Sequence, residues 1–381
     1  MGAPQYRIWF GSRSATADEL RRVEEIEVTQ EMDAFWEARL RLVLCLDATG
    51  RWLHWPGDVS QPFSRVRIEV DNGNGRFAPL IDGPLVSIDA ALDALPGRST
   101  ATLVVRDDSA FMNRDEDTEP PFEHLSDSEI ASQLFSRFGQ LQSQRIAPTD
   151  AQPEFTTRRG SVLQFLRDLG LASDRHAYVL PGDRPGASIG CFLPDPEGPE
   201  GLPPLVLIGD GRNLANASIS ENPDGGERTR AVLLRVDDQG TTTVESSAAE
   251  LGLMRDLPAR PADLTPRRLV HPADNTRADP TPAARARARR HGYVYRLASH
   301  VVPGCYAGVL VPYQKVRVDA GATPYSGDYL IARVVHRITP SVYTQELEAT
   351  TDSITEVSAA QVAEALGGGV RLAVSAAGGL F

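Results

Sequence analysis

The sequence predicts a mainly β protein carrying an α+β insertion, and three observations predict it. Short runs of alternating apolar and polar residues lie on both sides of the middle of the chain. Two serine-capped amphipathic helices interrupt them. One strand–turn–strand pattern recurs near each end. At 381 residues the chain is long enough for two or three domains of ~100–200 residues each.

The first hundred residues read as strands. Val66, Ile68 and Val70 alternate with Arg65, Arg67 and Glu69, the period of a half-buried strand, and a turn follows at Asp71-Asn72-Gly73-Asn74-Gly75, where Asn and Gly accept positive φ. Leu85 to Ile88 and Thr102 to Val105 supply two more strands around Leu95-Pro96-Gly97. Glu19 to Leu44 fits two readings: its Glu, Arg and Ala content favours helix, while Ile26-Glu27-Val28 and Leu40 to Leu44 alternate as strands do.

After the acidic run Asp115 to Glu119 the period changes to that of a helix. Ser126 and Glu129 form a capping box ahead of the stripe Ile130, Leu134, Phe135 and Phe138, with Gly139 as the stop. Ser161 and Gln164 repeat the device ahead of Val162, Phe165, Leu166 and Leu169, with Gly170 as terminator, and Ala177 to Leu180 is a strand. The prolines from Pro194 to Pro204 mark a linker or a rigid loop. Strands follow at Leu205–Ile208, Ala217–Ile219, Val232–Val236 and Thr241–Val244. Residues 255–282 hold prolines and little periodicity, as a long connection would, and Thr281-Pro282 opens a basic helix to Arg290, with Gly292 beyond its end. The last strands are Val316–Val318, Tyr329–Val335 and Thr344–Ala349.

Two stretches align with each other. Val66-Arg67-Ile68-Glu69, strand Leu85–Asp89, strand Thr100–Val105 and Asp108-Ser109 match Val316-Arg317-Val318-Asp319, strand Leu330–His336, strand Thr344–Ala349 and Asp352-Ser353. The likeness fits either an internal duplication or the chance similarity of short meanders.

Net charge −12 argues against a surface built to coat nucleic acid, and no run approaches the ~20 apolar residues that cross a bilayer. The start, Met1 to Phe10, lacks a secretory signal layout, so assembly in the cytoplasm is expected. Cys45, Cys191 and Cys305 are far apart and odd in number, and read as reduced thiols. None of the seven histidines has metal-ligand spacing, so neither a metal nor a cofactor is expected. Gly209-Asp210-Gly211 lacks the third glycine of a dinucleotide loop and reads as a turn. The neighbours Asp107 and Asp108, if on a strand, face opposite ways and cannot share acid–base work.

The runs Tyr313 to Val318, Tyr325 to His336 and Tyr343 to Leu347, together with Leu80-Ile81-Asp82-Gly83-Pro84-Leu85-Val86 and the two capped helices, stand in an order that resembles the phage late control protein D family, the baseplate hubs of contractile tails and the hub part of VgrG spikes. The resemblance implies strands over Glu24–Leu44 and two tube-like β-barrel domains that form a pseudo-six-fold ring as a trimer. The expected boundaries are a first barrel at 1–112, an α/β insertion at 113–200, a second barrel at 201–355 with a Pro-rich excursion at about 247–291, and a tail at 356–381. It further implies a non-enzymatic hub: a homotrimer adapting a six-fold inner tube, or tube initiator, to a separate three-fold spike, ringed by baseplate wedge proteins in a phage tail or injection particle. The apolar end of the tail, Val370, Leu372, Val374, Leu380 and Phe381, is then a candidate subunit or spike contact. Two other readings stand beside it. A tail-borne cell-wall hydrolase needs a catalytic cluster the sequence does not display. A carbohydrate-binding β protein would use Trp36, Trp52 and Trp55.

Overall fold

The structure, a computed structural model, describes residues 5–46, 49–53, 61–71, 75–95, 97–114, 120–150, 155–221, 230–237, 240–246, 267–269, 281–293 and 295–351. The acidic run 115–119, Trp55, most of the Pro-rich excursion and the tail with Val370, Leu372, Val374, Leu380 and Phe381 lie outside the described residues.

The strands that matter are β1 (Gln5–Phe10), β2 (Val23–Glu31), β3 (Glu37–Val43), β4 (Arg65–Asp71), β5 (Phe77–Ala91) and β6 (Thr100–Arg106). The insertion follows, with α1 (Asp127–Ser136), β7 (Leu141–Ile146), α2 (Val162–Ser173), β8 (His176–Pro181) and β9 (Ser188–Leu193). After it come β10 (Leu205–Val206), β11 (Leu214–Glu221), α3 (Thr281–Gly292), β12 (Tyr295–Val301), β13 (Lys315–Asp319), β14 (Gly327–Ile338) and β15 (Tyr343–Thr351). One sheet of 13 strands runs in the order β11-β12-β15-β14-β2-β3-β6-β5-β4-β1, ending on the two-residue strand Arg13–Ser14 beside β1, with β13 on β14 and β10 on β13. Arg230–Asp237, Gly240–Ser246 and Arg267–Leu269 form a separate small sheet.

Three apolar cores follow from the alternation. Ile26, Val28, Leu40, Val66, Ile68, Leu103 and Val105 fill the first, α1 and α2 fill the second against β7, β8 and β9, and Val316, Val318, Tyr329, Ile331 and Leu347 fill the third. Glu24–Leu44 resolves as the hairpin β2–β3, and Glu19 to Arg21 belong to a short helix at Ala17–Arg21, so each of the two readings of Glu19–Leu44 holds for part of it. Strands β1 and β12 escape the sequence reading, although Tyr295, Leu297 and Val301 are buried and alternate with exposed residues.

Both helix stops are corrected. Helix α1 ends at Ser136 with Arg137 as cap, leaving Phe138 half-buried beyond it, and Gly139 needs no glycine geometry. Helix α2 runs through Gly170 to Ser173 and stops on Asp174 in the left-handed region (φ 57°). Gly170 is there for close approach, because a Cβ would meet the Arg175 carbonyl oxygen at 2.7 Å. Ser161 accepts from the Gln164 N–H but Gln164 does not reciprocate; the Ser161 hydroxyl donates to Asn113 instead. The proline-rich segment is a docked loop, since Pro203 and Pro204 carbonyls accept from Tyr306 and Asn213.

Gly83 in β5 is also held to glycine by contact, more tightly than Gly170, a Cβ there falling 1.9 Å from the Arg106 carbonyl oxygen. Gly83→Ala is expected to cost more than about 2 kcal/mol in urea unfolding, whereas Gly139→Ala stays within about 0.5 kcal/mol.

Candidate functional site

The β-sheet contains the same five-strand unit twice. In the first copy Arg65, Val66, Arg67 and Ile68 of β4 face Pro84, Gly83, Asp82 and Ile81 of β5. In the second, Lys315, Val316, Arg317 and Val318 of β13 face Leu330, Tyr329, Asp328 and Gly327 of β14. The next pair repeats with its defect: Leu85↔Val105 and Ser87↔Val104 skip Val86, and Ile331↔Ala349 and Arg333↔Glu348 skip Ala332. Strand β3 lies on β6 as β12 lies on β15, with Ala38↔Val105 matched by Leu297↔Ala349. The outer hairpin repeats too, bulge included: Val23↔Leu42 and Glu25↔Arg41 skip Glu24, while Leu214↔Val301 and Asn216↔His300 skip Ala215. Even the entry turns agree. Phe63 (φ 66°) donates its N–H to the Leu85 carbonyl, and Tyr313 (φ 64°) donates to Ile331. Chance meanders do not share two bulges, two left-handed aromatic residues and four registers. The flanks differ, since β1 adds antiparallel to β4 and β10 adds parallel to β13.

The two copies join along one seam. Strand β2 of the first pairs antiparallel with the C-terminal half of β14 of the second, from Arg333↔Glu31 to Ile338↔Ile26. On the core face His336 is fully buried between Gln30 Oε1 (3.2 Å) and the Tyr343 hydroxyl (2.9 Å), and burial pulls its pKa down to about 3, keeping it neutral. On the other face Arg337 reaches Glu27 at 2.9 Å and Arg333 reaches Glu31 at 3.7 Å.

Two further polar clusters fix the insertion. In the first copy Arg67 is buried, bonded to Glu69 at 2.7 Å and Asp82 at 3.1 Å, and it donates to the Gly182 carbonyl in the β8–β9 turn. Arg65 bridges Asp82 (2.6 Å) and Asp108 (2.5 Å), and the Ser188 hydroxyl also donates to Asp108. Asp107 and Asp108 follow β6 rather than lying in it, and their partners separate them. Asp107 accepts from the Trp36 and Ser109 N–H groups and from the Ser109 hydroxyl. Burial raises the Asp107 pKa to about 6, and burial, outweighing Arg65, also raises that of Asp108.

The second cluster holds β8, the β2–β3 turn and α3 together. His176 sits between Asp195 (3.0 Å) and Asp33 (3.4 Å), while Arg289 contacts Asp174 at 3.2 Å and Arg290 contacts Asp33 at 3.3 Å. Tyr293 donates to Asp195, Tyr313 accepts from the Asp33 N–H, and Tyr313 stacks on Tyr178 at 3.7 Å between centroids. Burial works against the His176 cation, but its hydrogen bonds and charge pairing with Asp195 and Asp33 win and carry the pKa up to about 9. The same pairing, against burial, brings Asp195 down to about 2. The basic helix α3 thus meets acidic neighbours. An open cleft of about 550 Å³ beside this cluster has charged groups in its lining that are engaged with one another, Arg333 with Glu348 and Arg290 with Asp33.

Of the sequence-predicted residues, Trp36 is buried and offers no face to a sugar, and Trp52 is half-buried. Cys45 and Cys305 are exposed free thiols and Cys191 is buried, where desolvation raises its pKa to about 12. Among the described residues no group of three or more His, Cys, Asp and Glu side chains could hold a metal ion. The residues sequence reasoning missed are Gln30, Asp33, Arg65 and His176. Only Arg65, beside the Arg67 of the repeat, carried a local signal.

Two outcomes are expected. Arg67→Ala takes its ion-pair partner from buried Glu69, leaving it the Trp9 N–H, and leaves Asp82 ion-paired with Arg65 alone, and costs about 3 kcal/mol in urea unfolding, while its repeat counterpart Arg317→Ala, in a half-exposed pair, costs at most about 1 kcal/mol. Folded His176 keeps its proton up to about 9 whereas the unfolded imidazole releases it near 6.5. Its contribution, on the order of 3 kcal/mol, is therefore complete below the lower value and lost as pH rises through the upper one. Unfolding free energies measured across that window fall for the native chain, and His176→Gln flattens this part of the profile.

At the level of sequence, no protein-family model and no curated protein matches the chain. The fold does match solved structures. A tail protein of Neisseria meningitidis MC58 superposes with a TM-score of 0.60 at 11% identity, over 92% of this chain and 97% of that one. The 43 kDa tail protein of prophage MuSo2 from Shewanella oneidensis gives 0.60 at 14%, over 90% and 97%. The E. coli c3393 protein, a type VI secretion component described as similar to T4 tail proteins gp27 and gp5, gives 0.53 at 10%, over 86% and 73%. The chain has the fold that phage tail proteins share with type VI secretion components.

Proposed function

We propose that this chain is the structural, non-enzymatic baseplate hub of a contractile injection system or phage tail. Three copies form a ring of six tube-like barrels, two per chain with the α/β insertion between them, and the ring adapts a six-fold inner tube to a three-fold spike. The domain bounds are those expected from the sequence: 1–112, 113–200 and 201–355, with the tail 356–381. The observation that carries the reading is the duplicated five-strand unit with its matched bulges. Two equivalent units per chain give three chains six equivalent positions around an axis, so one ring meets both symmetries. The tail-like fold supports the same role. The proposed partners are a separate spike protein, the inner tube or a tube initiator, and baseplate wedge proteins. The proposed site of action is a phage-tail-like particle assembled in the cytoplasm.

The polar clusters also favour a scaffold over a hydrolase. Asp82 and Asp108 are tied to arginines, and Asp107 to backbone N–H groups, so none of the three stands ready as an acid or base. Electron microscopy of the purified chain, alone and mixed with spike and tube proteins of the same source, tests the proposal. The expected image is a three-fold ring with a central channel and six similar lobes, joined to the spike on one side. A particle with a single copy on its axis, or peptidoglycan turnover by the pure chain, would overturn it.

A further inference from the structure

The cleft beside the His176 cluster has a part of its floor that the ion pairs leave open. On the face of the sheet turned away from the cores, arginines stand beside acids. Arg39 and Arg106 meet Glu37, Arg41 meets Glu24, Arg337 meets Glu27 and Arg333 meets Glu348, each within 3.2 Å. Arg296 of β12 lies on the same face and breaks the pattern. It is exposed on the cleft floor, and its guanidinium makes no ion pair or hydrogen bond among the described residues. Ser220 of β11 and Thr350 of β15 face it on either side in the ladder, and Ser218 stands two residues along β11. None of these hydroxyls has a hydrogen bond among the described residues either.

The repeat shows what differs here. Since Ala38↔Val105 corresponds to Leu297↔Ala349, Glu37↔Arg106 corresponds to Arg296↔Thr350, and Thr29 beside Glu37 corresponds to Ser220 beside Arg296. In the first copy this row closes on itself as an ion pair of 3.1 Å. In the second copy an arginine stands in place of the acid and a threonine in place of the base. The row has a cation and two flanking hydroxyl donors but no anion of its own.

We infer that this row is a binding site for a carboxylate side chain, an Asp or Glu carried by a partner polypeptide. The carboxylate seats on the planar fork of Arg296, and the Ser220 and Thr350 hydroxyls donate to it from either side. Glu348, two residues along β15 from Thr350 and also in the lining, repels a second negative charge, so a carboxylate fits better than a phosphate dianion. Ala298, Leu330 and Ala332 supply apolar surface for the body of the side chain. The volume, about 550 Å³, has room for more than the charged group. A polypeptide is the source because the cleft is open. One charge-assisted contact there holds a free acid only at about millimolar concentration, whereas a side chain on a docked chain is presented at high effective concentration. The site goes beyond the hub reading and does not depend on ring closure.

Peptide-observed NMR titration of the full-length chain tests it at low salt, with acetyl-Ala-Glu-Ala-Glu-Ala-amide as the probe. The native chain is expected to bind this peptide at least about tenfold more tightly than its Gln-for-Glu analogue. Arg296→Gln is expected to bring the Glu peptide down to the level of the analogue, with an unchanged midpoint of urea unfolding. Ser220→Ala/Thr350→Ala is expected to weaken it about threefold. Arg317→Gln, in a half-exposed pair on β13, is expected to leave it unchanged. No binding by the native chain, equal binding by Arg296→Gln, or an equal loss in Arg317→Gln overturns the site. Glutarate or inorganic phosphate binding at Arg296 as tightly as the peptide overturns the polypeptide source.

Discussion

The pairing of β2 with the C-terminal half of β14 is the contact on which the rest of the molecule depends. Each five-strand unit alone leaves a long strand half bare and a hairpin edge open, and an open edge exposes a row of unpaired N–H and C=O groups. Joining the hairpin of one unit to the long strand of the other satisfies both at once and turns two small sheets into one of 13 strands. The seam is marked on its core face by a polar pair, Gln30 with His336, held at 3.2 Å. A buried neutral imidazole with a fixed amide partner admits one register, because a slip would strand both groups without hydrogen bonds. The ion pairs of Arg337 and Arg333 on the wet face add little energy but oppose the same slip.

Duplication also explains where the copies diverge. Arg67 with Asp82 and Arg317 with Asp328 occupy one position in the repeat, yet the first pair is buried and the second is half-exposed. The difference is the insertion. Its β8–β9 turn lies over the first copy, offering the Gly182 carbonyl to Arg67 and the Gly186 N–H to Asp82, so a solvated surface pair becomes a fully bonded buried network. At the far end of the insertion, the His176 cluster ties β8 to the β2–β3 turn and to α3, the helix just before β12. The inserted unit is thus clamped at two places by groups of opposite charge. A body carried on a scaffold without such clamps would move relative to it.

Much of this architecture is legible in the chain. Strand alternation, both N-terminal helix caps and the repeat around Val66-Arg67-Ile68-Glu69 and Val316-Arg317-Val318-Asp319 are local signals, and local chemistry writes them. What escaped has two causes. Helix α2 continues past Gly170 to a local stop at Asp174, whose left-handed turn returns the Arg175 N–H to the Gly170 carbonyl, a stop the pattern reading assigned to the glycine. His176, Asp33, Asp195 and Arg290 are scattered in sequence and meet only when three elements converge. Strand β12 is visible in hindsight as Tyr295, Leu297 and Val301, yet its Ser299 core position breaks the apolar alternation. The repeat could be seen but not proved in sequence, since the evidence for it is register. Bulges at Val86 and Ala332, and at Glu24 and Ala215, are properties of paired strands rather than of either strand alone.

Those bulges bear on what can lie along the two strand edges, Ser87–Ala91 of β5 and β11, that have one paired side among the described residues. A flat, apolar edge invites any strand, whereas a bulge twists the edge and restricts what can lie along it. Val86 sits beside the open half of β5 and Ala215 at the start of β11, so each bare edge begins at a twist that only a strand of matching curvature can follow. The outward residues are small and polar or charged, Ser218 and Ser220 on one edge and Asp89 on the other, and the chain as a whole carries a net charge of −12. Repulsion between acidic chains slows indiscriminate collision, and the twist rejects strands that do collide in the wrong register.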